Sequence, residues 1–276
     1  MDYVELTVAV SDDTLSEILV AELSELGFDS FATERTLLKA YIPQMTLADT
    51  KSETDALLGR YGIADARYVQ IESQNWNALW ESNFDEVEID GRAIVRAPFH
   101  APRPEYGPME IVIMPQMSFG TGHHATTALM ISFLLDASVE GRRMLDMGCG
   151  TGVLAIVALR RGAAGADAVD IDDMACENCR DNAAANGVGD RMKVIAGDVR
   201  SVIAERYDII AANINRNILL RDMKAYASML TPGGSLFLSG FLIEDAAAVT
   251  SAAEAAGLRV AERRTRNDWA AVACVK

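Results

Sequence analysis

The run Met144-Leu145-Asp146-Met147-Gly148-Cys149-Gly150-Thr151-Gly152 constrains this chain more than any other stretch. A short apolar segment leads into three alternating glycines. A helix-compatible segment follows, and a second apolar run, Ala166–Asp170, ends in a carboxylate 22 residues after Gly148. Strand, glycine turn, helix, strand, carboxylate is a βαβ unit, so the two strands must be parallel neighbours joined by a right-handed crossover. Glycines in such a turn let the backbone bend with positive φ and approach a ligand closely. The first amides of the helix then face that ligand.

The same alternation continues to the C-terminus. Strands are expected near Arg143–Met147, Ala166–Ile171, Arg191–Ala196, Tyr207–Asn213, Ser235–Ser239, Leu258–Arg264 and Trp269–Val275. Helices are expected at about Ala125–Leu135, Gly152–Arg161 and Asp173–Asn186, with one ending at Leu230 and a last one near Gly257. This pattern predicts a doubly wound, mainly parallel seven-stranded sheet closed by an antiparallel hairpin at one edge. The first ~70 residues differ. A strand at Val4–Val10, a helix capped by Ser11 with Leu15, Ile18, Leu19, Leu23 and Leu26 on one face, strands at Phe28–Thr33 and Leu37–Ile42, a helix at Leu47–Tyr61 and a strand at Arg67–Ile71 give the order βαββαβ of a small ferredoxin-like α+β domain. Between the two, Trp76, Trp80 and Phe84 recur every four residues as a connector helix would require, and five of the seven prolines fall between Phe84 and Pro115, the last included. The expected organisation is thus 1–72 ferredoxin-like domain, 73–115 connector helix and extended lead-in, and 116–276 α/β domain.

Composition narrows the function. The net charge is −15, from 40 acidic and 25 basic residues. Affinity for nucleic acid comes largely from neutralising phosphates, so free nucleic acid is a poor substrate for this chain and a basic protein partner a better one. No stretch reaches the roughly 20 apolar residues of a membrane span. The N-terminus lacks the basic start and apolar core of a signal peptide, which predicts a cytoplasmic protein without membrane contact. Four cysteines, two of them Cys176 and Cys179, form neither a disulfide framework nor a ligand set for a metal, which needs three or four converging groups.

The turn itself selects among nucleotides. Its spacing is G-x-G-x-G rather than the G-x-G-x-x-G of dinucleotide sites. Asp146, two residues ahead of Gly148, would repel a pyrophosphate and suit a cationic group such as the ammonium of a methionine moiety. Asp170 can accept hydrogen bonds from ribose hydroxyls. D-x-G-x-G-x-G followed by a distant carboxylate therefore points to S-adenosylmethionine. Asp172 and Asp173 suit a helix cap. Asp198 can either meet the adenine amino group or start a turn.

Two further strings, Met117-Ser118-Phe119-Gly120-Thr121-Gly122-His123-His124-Ala125-Thr126-Thr127 and Ala212-Asn213-Ile214, combine with Asp146–Gly152 and Val169–Asp172 into a pattern that closely resembles the ribosomal protein methyltransferases of the PrmA type. The resemblance covers nearly the whole chain. It implies a class I methyltransferase fold for the large domain, S-adenosylmethionine as methyl donor, and the large-subunit ribosomal protein numbered eleven as substrate, recognised by the small domain and methylated on lysine side chains and the N-terminal amine. It also implies cofactor contacts at Thr127, Gly148, Asp170 and Asn213, beside the Asp146 and Gly150 singled out by the turn. Asn213 is the candidate catalytic residue, orienting the acceptor amine. His123 and His124 either shape the loop over the methionine end or supply a base. A monomer is expected. The alternatives are a methyltransferase of another protein, RNA or small amine, or a donor-binding assembly factor without turnover.

Overall fold

A computed structural model of the chain describes residues 3–34, 36–71, 84–115 and 122–276. Trp76 and Trp80 of the expected connector helix, and Met117–Thr121 of the glycine-histidine string, lie outside the described residues. The chain divides into two compact units, Met1–Phe84 and Asp85–Lys276.

The first unit runs β1 (Tyr3–Ala9), α1 (Asp13–Glu25), β2 (Ser30–Glu34), β3 (Leu37–Pro43), α2 (Gln44–Arg60) and β4 (Arg67–Ile71). The strands pair antiparallel in the order β2-β3-β1-β4, which is the ferredoxin-like arrangement. Alternation decides its inner face: Val4, Leu6 and Val8 of β1 and Leu38, Ala40 and Ile42 of β3 are buried with Leu19 and Leu23 of α1. The cap of α1 is Asp12 rather than Ser11. The Asp12 carboxylate accepts from the Leu15 amide at 2.9 Å, while the Ser11 hydroxyl donates to Asp12. A charged acceptor holds the helix N-terminus more strongly than a hydroxyl. Ile18 of the expected inner face is 39% exposed, because it sits about 100° around the helix from Leu19.

The second unit opens with three short strands, β5 (Val87–Ile89), β6 (Ala93–Arg96) and β7 (Glu110–Val112), in one small sheet. Ile89, Ala93, Val95, Ile111 and Ile113 are buried in the core of this unit, so residues 85–113 are part of its hydrophobic body. There follow α3 (Ala125–Asp136), β8 (Arg143–Met147), α4 (Val153–Arg160), β9 (Gly165–Asp170), α5 (Asp173–Ala185), β10 (Met192–Ala196), β11 (Tyr207–Asn213), α6 (Arg216–Met229), β12 (Leu230–Leu242), α7 (Ala246–Ala255), β13 (Arg259–Arg266) and β14 (Trp269–Val275). The sheet order is β10-β9-β8-β11-β12-β14-β13, parallel from β10 through β12. The closing hairpin is antiparallel, and its last strand enters between β12 and β13. The Thr231–Gly234 turn interrupts a ladder: Tyr207 stands opposite Leu230 and Ile209 opposite Ser235.

Strands buried on both faces need two cores. Leu129, Ile131 and Leu134 of α3 and the aliphatic run of α4 fill one, where Phe133 stacks on Phe237 with centroids 5.4 Å apart. Leu219, Met223 and Tyr226 of α6 and Val249 of α7 fill the other. Polar order comes from α5 and its C-cap, Asn186. Asn178, Asn182 and Asn186 form a stripe that hydrogen-bonds the extended backbone at 112–114. At the opposite end of the sheet Tyr207 donates its hydroxyl to the buried Asp167 at 2.6 Å. Among the described residues no helix is long and apolar enough to cross a membrane.

Candidate active site

The strand order reverses between β9 and β11, on either side of β8, and ligands bind at such a switch point beyond the carboxyl ends of the strands. A cavity of about 580 Å³ opens there, lined by Gly148, Gly150, Asp170, Asp198, Asn213 and Ile214 among others. That volume suits a ligand of nucleoside size.

The glycine turn is shaped by its conformations. Gly148, Gly150 and Gly152 all have positive φ, at 73°, 51° and 77°. A side chain on Gly148 would run into Cγ2 of Ile214, and one on Gly152 would lie 2.5 Å from Cys179 Sγ. Only glycine combines that backbone with that closeness. The amides of Gly148 and Cys149 both donate to the Val169 carbonyl, at 2.8 and 3.0 Å, which ties the turn to the end of β9. Asp170 completes the tie: one carboxylate oxygen accepts from the Gly150 amide at 2.9 Å and the other from the Asp172 amide at 3.1 Å.

Asp146 lies just beneath the turn and is 1% exposed. Its Oδ2 accepts from the Ala155 amide in the first turn of α4, at 3.1 Å. Its Oδ1 is buried and has no hydrogen-bond partner among the described residues. Burial pushes this carboxyl up to about 7, against the bond from Ala155 and with the help of the Asp170 charge. Asn213, at the end of β11, repeats the pattern. Its Nδ2 donates to the hydroxyl of Thr127 at 3.5 Å, and its Oδ1 is buried without a partner among the described residues. Two orphaned acceptors at the ends of strands flanking the glycine turn are unusual, since a buried polar atom left unpaired costs about 1–3 kcal/mol. Both want a donor, and an ammonium or an amine supplies one. The residues present therefore fit S-adenosylmethionine: the glycine turn and Asp170 for the nucleoside, the two orphaned oxygens toward its cationic or acceptor side.

Gly148, Gly150, Asp170 and Asn213 thus line one cavity, as the sequence pattern implies. Asp146 and Thr127 stand behind its wall, with Thr127 joined to it through Asn213. Asp198 both lines the cavity and starts a turn: it accepts from the Arg200 amide and is gripped by the Arg200 guanidinium, which holds it below the usual carboxylate range. Asp172 caps α5 through the Met174 amide. His124 caps α3. Its Nδ1 lies 2.7 Å from the Thr126 hydroxyl, its ring meets Trp269 edge-on at 4.5 Å, and burial lowers its pKa. The thiol of Cys149 is pushed up by its bond with Cys179 and by burial, so it does not act as a thiolate. Sequence reasoning missed Ile171, which is 79% exposed at the cavity, and Ile218, Arg221 and Asp222, which α6 brings to its far wall. Nothing in their local pattern marks them. The asparagine stripe did carry a signal, three identical polar residues at four-residue spacing.

A seven-stranded sheet of this order, with a D-x-G-x-G-x-G turn and a carboxylate closing the second strand, defines a class I methyltransferase. The profile of the ribosomal protein L11 methyltransferase (PrmA) family matches residues 5–276. A ribosomal protein L11 methyltransferase of Porphyromonas gingivalis is 48% identical over 94% of this chain and 90% of its own length. One of Bacteroides thetaiotaomicron is 41% identical over 99% of both. A crystal structure described as ribosomal protein L11 methylase from Lactobacillus delbrueckii subsp. bulgaricus shares the fold, with a TM-score of 0.64 and 24% identity over 69% of this chain and 98% of that one. The chain belongs to the PrmA family of protein methyltransferases.

Proposed function

We propose that this chain transfers methyl groups from S-adenosylmethionine to amino groups of ribosomal protein L11, on lysine side chains and the N-terminal amine. The orphaned Oδ1 of Asn213, buried at the mouth of β11 beside the glycine turn, is the observation that carries the reading. The 41–48% identity to proteins named for this substrate supports the choice of acceptor protein.

S-adenosylmethionine supplies an electrophilic methyl group on a sulfonium. The chain's task is to align a neutral amine with it. A lysine with a pKa of about 10.4 costs about 4 kcal/mol to deprotonate near pH 7.5, whereas an α-amine at about 7.7–8.0 costs almost nothing. A water-poor cleft lowers the first figure by disfavouring the ammonium. Asn213 Oδ1 accepts an N–H of the neutral amine and so aims its lone pair, while the Thr127 hydroxyl keeps the amide from turning over. Gly148, Gly150 and Asp170 hold the nucleoside. Asp146 anchors α4, and its carboxyl, raised to about 7 in the ligand-free chain, is favoured in its ionised form by the methionine ammonium. The ferredoxin-like unit is the recognition module, and the −15 charge of the chain suits a lysine-rich partner. The enzyme works as a cytoplasmic monomer.

Labelled donor incubated with the chain and purified ribosomal protein L11, total RNA or small amines tests the acceptor class. Label in the protein alone is expected; label in RNA or small amines alone refutes the reading. Asn213→Ala should lose about 100-fold in kcat, the scale of one positioned hydrogen-bond acceptor, with a smaller change in donor affinity. Normal turnover in that variant counts against the role given to Asn213.

A further inference from the structure

The stripe on α5 does more than hold a helix in place. Asn178, Asn182 and Asn186 are 1%, 1% and 5% exposed. Their amides are engaged mainly with a piece of extended chain rather than with solvent. Asn186 accepts from the Val112 amide at 2.9 Å and donates to the Val112 carbonyl at 2.6 Å. Asn182 accepts from the Met114 amide at 2.9 Å, and Asn178 donates to the Met114 carbonyl at 3.4 Å. Side chains thereby provide the ladder that a neighbouring strand would give to 112–114. Within the stripe Asn186 Nδ2 also donates to the Asn182 carbonyl at 2.8 Å and Asn182 Nδ2 to Asn178 Oδ1 at 3.3 Å. Asn182 Nδ2 in addition donates to the Thr151 carbonyl at 3.1 Å, inside the glycine turn between Gly150 and Gly152.

We propose that Asn182 is a positioning residue for methyl transfer. One amide group fixes the donor-binding turn to the Met114 backbone, which continues in sequence into the Met117–Thr127 string. Two segments far apart in the chain thus share a register. Buried hydrogen bonds of this kind cannot slide, because each displaced donor or acceptor would be left unpaired in a dry interior. The proposal rests on the methyl-donor reading above and deepens it.

The test compares Asn182→Leu with Asn186→Leu. Both remove side-chain bonds to the 112–114 backbone, but only the first releases Thr151. Asn182→Leu is expected to lower kcat and the affinity for S-adenosylhomocysteine by about tenfold each, the worth of roughly one buried hydrogen bond, while Asn186→Leu leaves both within about twofold at a comparable loss of Tm. Equal effects of the two variants would overturn the proposal. Should Asn182→Leu not fold, hydrogen exchange of the wild-type chain decides. In the free chain the Met114 amide should exchange faster than the core Val272 amide of β14, and on saturation with S-adenosylhomocysteine it should slow by about the same factor, the full factor that binding imposes on any opening that abolishes the site. A Met114 amide whose exchange is unchanged by the ligand while Val272 slows overturns the coupling. A wild-type chain with no affinity for S-adenosylhomocysteine would instead sink the methyl-donor reading, and this inference with it.

Discussion

Asp146→Asn isolates one buried charge. The wild-type carboxyl is raised from 3.8 to about 7, mainly by desolvation. A raised acid binds its proton more tightly in the folded chain than in the unfolded one. Its contribution is therefore fully present below about pH 4 and is lost as pH rises through 7. Each tenfold difference in proton affinity is worth about 1.4 kcal/mol, so the ligand-free chain should lose about 4 kcal/mol over that window through this group alone. Asparagine keeps the shape and an acceptor for the Ala155 amide but carries no titrating proton. Every other group cancels when wild type and variant are compared at the same pH. The assay is urea unfolding of both ligand-free proteins from pH 5 to pH 8, taking the transition with the larger m-value, which belongs to the larger unit. Because about 1.7 kcal/mol is already lost by pH 5, the stability of wild type relative to variant should fall by about 2.5 kcal/mol across the measured range. A flat difference would refute the buried, unpaired state of Asp146.

Gly148→Ala forces an alanine into positive φ, costing about 1–2 kcal/mol, and drives its methyl into Ile214. Calorimetric titration should find S-adenosylhomocysteine binding lost, and an unchanged Kd would show that the turn tolerates a side chain. Asp170→Asn weakens the tie to the Gly150 amide and removes the charge proposed to hold the ribose. Donor affinity should drop by about 10- to 100-fold, as for hydrogen bonds to a charged group. Tyr207→Phe strips a hydroxyl from the buried Asp167 and should destabilise by about 1.5–3 kcal/mol in denaturant melts with donor affinity intact. Altered affinity there would mean that the two ends of the sheet communicate.

Much of this fold was legible because it is written in local rules. Period-two burial marked β1 and β3, and the strands Arg143–Met147, Tyr207–Asn213 and Trp269–Val275 ended where expected. Gly148, Gly150, Asp170 and Asn213 line one cavity, since a parallel sheet brings the ends of its strands together; the glycine turn and Asp170 were singled out by their pattern, Asn213 by the family resemblance. What was not legible depends on neighbours distant in the chain. Whether Ser11 or Asp12 caps α1 is a contest between two adjacent acceptors. That α6 delivers Ile218, Arg221 and Asp222 to the cavity follows from how that helix packs across β11 and β12. That His124 caps a helix and leans on Trp269 depends on where β14 enters the sheet.

By itself, then, the order of residues determined the two fold types, the direction of most strands and the chemistry of the glycine turn, because backbone conformation and alternating burial are set within a few residues. Only the tertiary structure decided that Asp146 is a half-paired carboxyl, raised to about 7 by burial, behind the cavity wall rather than on it, and that Asn182 clasps Thr151 and Met114 at once. Desolvation and hydrogen bonding across dozens of residues are properties of the packed interior, and no short window of sequence contains them.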